Sequence, residues 1–170
     1  MVHEPVTVRR MCLYVDRFNP PYAGLISNVI AHCGEYGIKL SAATPSADHL
    51  KGFGIPENDS CDMALVLGGD GTILRGLGYF KDLSIPVLGV NAGHLGFLAS
   101  AEKALIGESI GRVAEGDYYI DTTPVLRGEM PSEQVLTAVN DFSLNRSMIG
   151  GILYFDLFVE DVKVAHIAGD

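Results

Sequence analysis

Leu67-Gly68-Gly69-Asp70-Gly71-Thr72 separates an apolar run at residues 63–67 from a stretch of helical spacing that ends near residue 80. A continuous apolar run closed by glycines reads as a strand buried on both faces. A strand that turns through glycines into a helix is the repeating unit of a parallel α/β sheet, whose ligands sit beyond the carboxyl ends of the strands. The helix is expected to begin at Thr72. The first amide N–H groups of a helix have no partner within it and favour anions. Gly68, Gly69 and Gly71 are expected to supply unusual torsions and close backbone approach. Thr72 is read as a helix cap or as a hydroxyl for a phosphate oxygen. Arg75, one turn on, is a guanidinium within reach of the same anion. Asp70 is the odd member, because a carboxylate repels phosphate. It is read as a holder of Mg²⁺, as the acceptor of a proton from an attacking hydroxyl, or as an ordinary cap. A weak base suffices for phosphoryl transfer, where positioning does most of the work. The stretch lacks the Gly-Lys-Ser/Thr ending of a P-loop and the third glycine of GxGxxG, which disfavours a hydride-transferring dehydrogenase.

Working outward, strands are predicted at residues 6–15, 38–43 and 85–90, and helices at 23–36 and 101–114. Gly37 and Gly116 fit helix stops. Residues 44–60, rich in Pro, Gly, Ser and Asp, read as a loop. A second glycine-rich turn, Gly89-Val90-Asn91-Ala92-Gly93-His94-Leu95-Gly96-Phe97-Leu98, follows the strand at 85–90. It is expected to face the first turn across a crevice. Asn91 offers two donors and two acceptors; Gly93 and Gly96 allow a ligand close to the backbone. Phe97 reads as core beside Leu95 and Leu98, with stacking on a ligand ring as the second reading. His94 reads as a solvated loop histidine.

After Asp117 the pattern changes. Five strand-like stretches (118–120, 125–127, 135–139, 152–159 and 162–167) follow without a helix between them. The expected fold is therefore an α/β nucleotide-binding domain over residues 1–116, with a parallel sheet covered on both faces. Residues 117–170 would begin an antiparallel all-β domain. So few antiparallel strands leave open edges, which predicts that more chain follows and that the segment associates or is unstable alone.

Composition narrows the class. Apolar residues make up 48% and charged residues 19% of the 170, which is globular. The net charge of −9 argues against nucleic acid and against an anionic membrane surface. A small phosphate ligand held by backbone amides remains open. Cys12, Cys33 and Cys61 are far apart in sequence and form neither a CxxC pair nor a zinc pattern, so buried reduced thiols are expected. No secretory leader and no apolar run of membrane-spanning length is visible, so a cytoplasmic protein is expected.

Gly68-Gly69-Asp70-Gly71-Thr72, followed by Asn91-Ala92-Gly93-His94-Leu95-Gly96-Phe97-Leu98 and later by Asn140-Asp141, resembles the NAD kinase family. The first motif is shared with diacylglycerol and other lipid kinases; the second separates NAD kinases from them. The resemblance implies phosphoryl transfer from ATP, or polyphosphate, to the adenosine ribose 2′-hydroxyl of NAD, with Mg²⁺ as counter-ion. It implies Asp70 as the base or metal-organising carboxylate. Gly69, Gly71 and Thr72 would cradle phosphate, and Asn91 with Gly93 would help line the nucleotide site. Asn140 and Asp141 would hold NAD; without the resemblance the pair reads equally as a turn between strands. It further implies small-molecule partners, a homo-oligomer (dimer or tetramer), and a chain cut before its second domain is complete. A lipid kinase and a non-catalytic nucleotide-binding fragment are the alternatives. The former calls for an acidic residue shortly after the glycine turn, where this chain has Arg75.

Overall fold

The structure is a computed structural model that describes residues 7–17, 20–93, 97–145 and 152–169. Its first element is strand β1 (Arg10–Val15), followed by helix α1 (Tyr22–Glu35) and strand β2 (Lys39–Ala42). Short helical turns, including α2 (Ala47–Leu50), fill the segment expected to be loop. Then come strand β3 (Met63–Gly68), helix α3 (Asp70–Phe80), strands β4 (Val87–Asn91) and β5 (Ala101–Glu102), and helix α4 (Ile106–Glu115). The five strands form one parallel sheet in the order β2-β1-β3-β4-β5.

Burial follows from strand alternation. Met11, Leu13 and Val15 of β1 and Met63, Leu65 and Leu67 of β3 share one cluster with Ile26, Val29 and Cys33 of α1 and Ile106, Ile110 and Val113 of α4. Cys12, Tyr14, Ala64 and Val66 point the other way and pack with Ile73 and Phe80 of α3. Both faces of the sheet are thus covered, as its uninterrupted apolar strands require. Removing each of the Val, Leu, Ile, Met and Phe side chains among them from water contributes about 1.5–3 kcal/mol. Helix α3 lies close to its sheet because Gly76 has no Cβ: one built there would stand 2.6 Å from a methyl of Val66.

Both predicted helix stops adopt positive φ, Gly37 at 66° and Gly116 at 80°. The predicted helix at 101–114 begins later than expected. Residues 101–102 pair with β4 as β5, and a single 3-10 turn leads into α4.

Beyond α4, strand β6 (Leu126–Glu129) pairs antiparallel with β7 (Val135–Ala138). Strand β8 (Leu153–Val159) pairs antiparallel with β9 (Val162–Gly169). Residues 118–120, expected as strand, form none. By compactness the chain divides into residues 1–139 and 140–170, whereas strand style changes from parallel to antiparallel between α4 and β6. Within the second unit the β8–β9 hairpin is braced by Asp156, whose Oδ1 accepts from His166 Nδ1 at 2.6 Å and Lys163 Nζ at 2.8 Å. Its Tyr154, Phe158, Val159, Val162 and Val164 are exposed.

Candidate functional site

Strand order locates the site. From β1 the chain moves to β2 on one side and then returns to β3 on the other. Parallel sheets bind ligands where the order reverses, at the strands' carboxyl ends. Here that point lies between β1 and β3, which pair as Val15↔Leu67. Asp16 follows β1 directly, and Gly68-Gly69 closes β3. A cleft of about 260 Å³ opens there, lined by Asp16, Arg17, Tyr22, Leu67, Gly69, Gly71, Thr72 and Arg75.

The glycine turn is built differently from expectation. Helix α3 begins at Asp70 with Gly69 as its N-cap, two residues before the predicted start. Thr72 is not the cap, and no side chain caps this helix. The Thr72 and Ile73 N–H groups both donate to the Gly69 carbonyl, at 2.9 and 3.0 Å. None of the turn's glycines has positive φ, so torsional freedom is not their common reason. For Gly68 the reason is close approach: a Cβ there would stand 2.4 Å from the Cβ of Thr72. Around Gly69 there is open space instead.

Asp70 is neither free nor a cap. Its Oδ2 accepts the Phe97 N–H at 3.0 Å and its Oδ1 the Leu98 N–H at 3.1 Å. The carboxylate therefore fastens the second glycine-rich turn to the start of α3. A further stitch runs from the Ala92 N–H to the Gly68 carbonyl at 3.4 Å. The two turns are neighbours because β3 and β4 pair, Gly68↔Asn91. Asn91 is buried, and its Oδ1 accepts the Gly93 N–H at 2.9 Å, shaping the turn from within.

Phe97 corrects the core reading. It is fully exposed, at 102%, because the residue is anchored through its backbone N–H to Asp70 and its ring enters no core. It lines a larger groove of about 760 Å³ that also includes Leu77, Val87, Arg112 and Tyr119. Arg75 is not free to swing toward an anion. Its Nε and Nη2 donate to Asp16 Oδ1 and Oδ2 at 2.7 and 2.6 Å. Asn140 and Asp141 belong to the second unit, where Asn140 Nδ2 donates to Asp141 Oδ1 at 2.7 Å. His94, Leu95 and Gly96 lie outside the described residues.

Sequence reasoning missed Asp16, Arg17 and Tyr22. The signal was present: Asp16-Arg17 directly follows a buried strand, at its carboxyl end.

Groups with shifted ionisation lie elsewhere. Burial pushes Tyr79 up to about 12, helped by its hydrogen bond to Asp59 Oδ2 at 2.8 Å. Burial alone would raise Asp59, but bonds from Thr44 and Tyr79 outweigh it and hold the carboxyl below its usual range. This cluster ties the 44–60 segment to α3. Among the described residues no three His, Cys, Asp or Glu side chains group as a metal site. The two carboxylates nearest the glycine turn, Asp16 and Asp70, are both engaged by protein donors.

Residues 22–118 match the family model described as ATP-NAD kinase N-terminal domain. The chain belongs to the NAD kinase family. It is 38% identical over 120 residues to an NAD kinase of Bifidobacterium longum subsp. infantis, covering 66% of this chain and 35% of that one. It is 31% identical over 158 residues to an NAD kinase of Methanosarcina barkeri, covering 89% of this chain and 55% of the other. The chain thus spans about a third to a half of the length of these relatives. Among solved structures it resembles yeast NADH kinase complexed with NADH, with a TM-score of 0.73, 17% identity, and coverage of 95% of this chain and 55% of that one. That likeness bears on the fold, and the α/β architecture followed by antiparallel strands agrees with it.

Proposed function

We propose that the chain carries the phosphoryl-transfer machinery of an NAD kinase, moving the terminal phosphoryl of ATP, or of polyphosphate, to the adenosine ribose 2′-hydroxyl of NAD to give NADP. The observation that supports this best is the cleft at the β1/β3 reversal, lined by Gly69, Gly71 and Thr72 at the head of an eleven-residue helix. The amide N–H groups of Asp70 and Gly71 precede the first bond within α3 and suit phosphate oxygens. The Thr72 hydroxyl and the Arg75 guanidinium add donors on the same side.

Asp70 orients the acceptor hydroxyl and takes its proton. To do so it gives up one of its two amide bonds, to Phe97 or to Leu98. The exchange substitutes a charge-assisted hydrogen bond for one of similar strength, so its net cost is small. Asn91 and Gly93 line the nucleotide side, with the exposed Phe97 ring as a stacking surface. Asn140 and Asp141, an amide beside a carboxylate, suit the ribose hydroxyls or the nicotinamide amide of NAD. Residues 117–170 would begin the NAD-binding domain, and residues 1–116 would be the α/β domain.

The described residues provide no resident metal cage. Mg²⁺ enters as the counter-ion of the triphosphate, whose charge it offsets, and no step here is assigned to it. A homo-oligomer and a cytoplasmic location complete the reading. Among the described residues no helix is long and apolar enough to cross a membrane.

The test is NADP formation from NAD and Mg²⁺ with ATP or polyphosphate, measured on this chain and on Asp70→Asn. The wild-type chain should form NADP and the variant should lose at least a hundredfold in rate, the scale of general-base catalysis, about 10²–10⁴. Absence of NADP with either donor would overturn the reading for this chain.

A further inference from the structure

We propose that Asp16 is a positioning residue for the phosphoryl donor: it holds one edge of the Arg75 guanidinium, so that the other edge stands over Gly71 to meet the donor's outer phosphates. This rests on the phosphoryl-transfer reading above and adds a residue to it.

The geometry is specific. An arginine presents five N–H donors in a rigid fork. Asp16 takes two of them, from Nε and Nη2. Nη1 has no partner among the described residues. The guanidinium lies over the first turn of α3, since a Cβ on Gly71 would stand 3.8 Å from Nη1 and 3.9 Å from Nη2. Asp16 and Arg75 are 59 positions apart and come from the two sides of the strand reversal. Both line the cleft that contains Gly69, Gly71 and Thr72.

Stability is a weak explanation for the pair. The Arg75 side chain is 53% exposed and that of Asp16 27%, and ion pairs this accessible add little to folding. Two effects then oppose each other in binding. The Asp16 charge repels phosphate, but both of its oxygens are paired with the Arg75 guanidinium, which offsets much of that charge. Asp16 also removes the rotamer freedom that Arg75 would otherwise lose when a ligand binds. For Asp16 to act in this way ordering must outweigh repulsion, and the two make opposite predictions for the removal of Asp16.

The experiment is calorimetric titration with inorganic tripolyphosphate of the wild-type chain, Asp16→Ala, Asp16→Asn, Arg75→Ala and the Asp16→Ala/Arg75→Ala double variant. NAD is the second titrant. Both Asp16 variants should weaken tripolyphosphate about tenfold and leave NAD within about twofold. The double variant should be no weaker than Arg75→Ala, because without Arg75 there is nothing for Asp16 to position. Melting without ligand identifies any variant that is merely unfolded; Asp16→Asn keeps the side-chain volume if Asp16→Ala does not hold. Unchanged or tighter tripolyphosphate binding in the Asp16 variants would overturn the inference. So would additive losses in the double variant, or failure of the wild-type chain to bind tripolyphosphate. In a chain that makes NADP those results overturn only the role of Asp16, whereas absence of NADP formation bears on the proposed function itself.

Discussion

Replacing Gly68 by alanine puts a carbon where the fold has no room. The new Cβ would stand 2.4 Å from Thr72 Cβ, 2.6 Å from its Oγ1 and 2.7 Å from its Cγ2. Carbon atoms pack comfortably at about 3.5–4.0 Å, so more than an ångström of separation has to be found. Rotating Thr72 about χ1 moves its Oγ1 and Cγ2 but leaves its Cβ in place. The backbone must therefore shift, either at the end of β3 or at the first turn of α3. Such overpacking costs about 3 kcal/mol, the upper part of the usual range. The lower chain entropy of alanine returns at most about 1 kcal/mol. For a chain of this length the remaining 2–3 kcal/mol is a fall of about 4–12 °C in melting temperature. Differential scanning calorimetry measures it. Gly69→Ala is the matched control: its neighbour space is open and its φ of −86° is ordinary. It should melt with wild type while binding tripolyphosphate less well. Adding Thr72→Gly to Gly68→Ala removes the offending Cβ and should recover part of the loss. A Gly68→Ala chain melting within about 1 °C of wild type would refute the close-approach argument, since about 1 kcal/mol corresponds to 2–4 °C at this size.

Asp70→Asn keeps one acceptor oxygen where two N–H groups need one each, so NMR hydrogen exchange at Phe97 or Leu98 should quicken about five- to tenfold, the equivalent of one hydrogen bond of about 1 kcal/mol. Asp62 is held below its usual range because, against the opposing effect of burial, it accepts from Arg10 and from the Arg9 and Arg10 amides. Its folded value lies below its unfolded one, so its contribution is complete above the unfolded value of about 3.9 and fades as pH falls through the folded value; Asp62→Asn should flatten the acid limb of a urea-melt pH series. Tyr79 has the opposite sign: its folded value of about 12 exceeds the unfolded value of about 10, so stability should fall as pH rises between them, and Tyr79→Phe should remove that slope. Cys33, pushed up to about 12 by burial, should resist iodoacetamide at pH 8 in the native chain and react on unfolding, as seen by intact mass.

The parallel sheet was legible because the apolar runs at β3 and β4 and the glycines beside them carry both period and punctuation. The helix stops at Gly37 and Gly116 were legible for a local reason, the positive φ that only glycine adopts cheaply. The site was legible as a place but not as a set of bonds. Nothing near Asp70 in sequence announces that its oxygens will be taken by amides 27 and 28 positions away. Arg75 reads as a loose cation until β1 brings Asp16 beside it. Phe97 reads as core by its apolar neighbours, yet its backbone is fixed by a carboxylate and its ring stays in solvent. Each of these three misses is a long-range contact overriding a local pattern.

The strand order has a kinetic consequence. β1 and β3 pair with about 50 residues between them, and β2 must dock on the far edge of β1 before the sheet is whole. Closing so long a stretch costs entropy before any contact repays it, and contacts this distant in sequence slow the folding of a sheet. The cleft exists only once those two strand ends meet. An anion that binds there would therefore recognise the finished sheet and nothing earlier, and should slow unfolding rather than hasten folding.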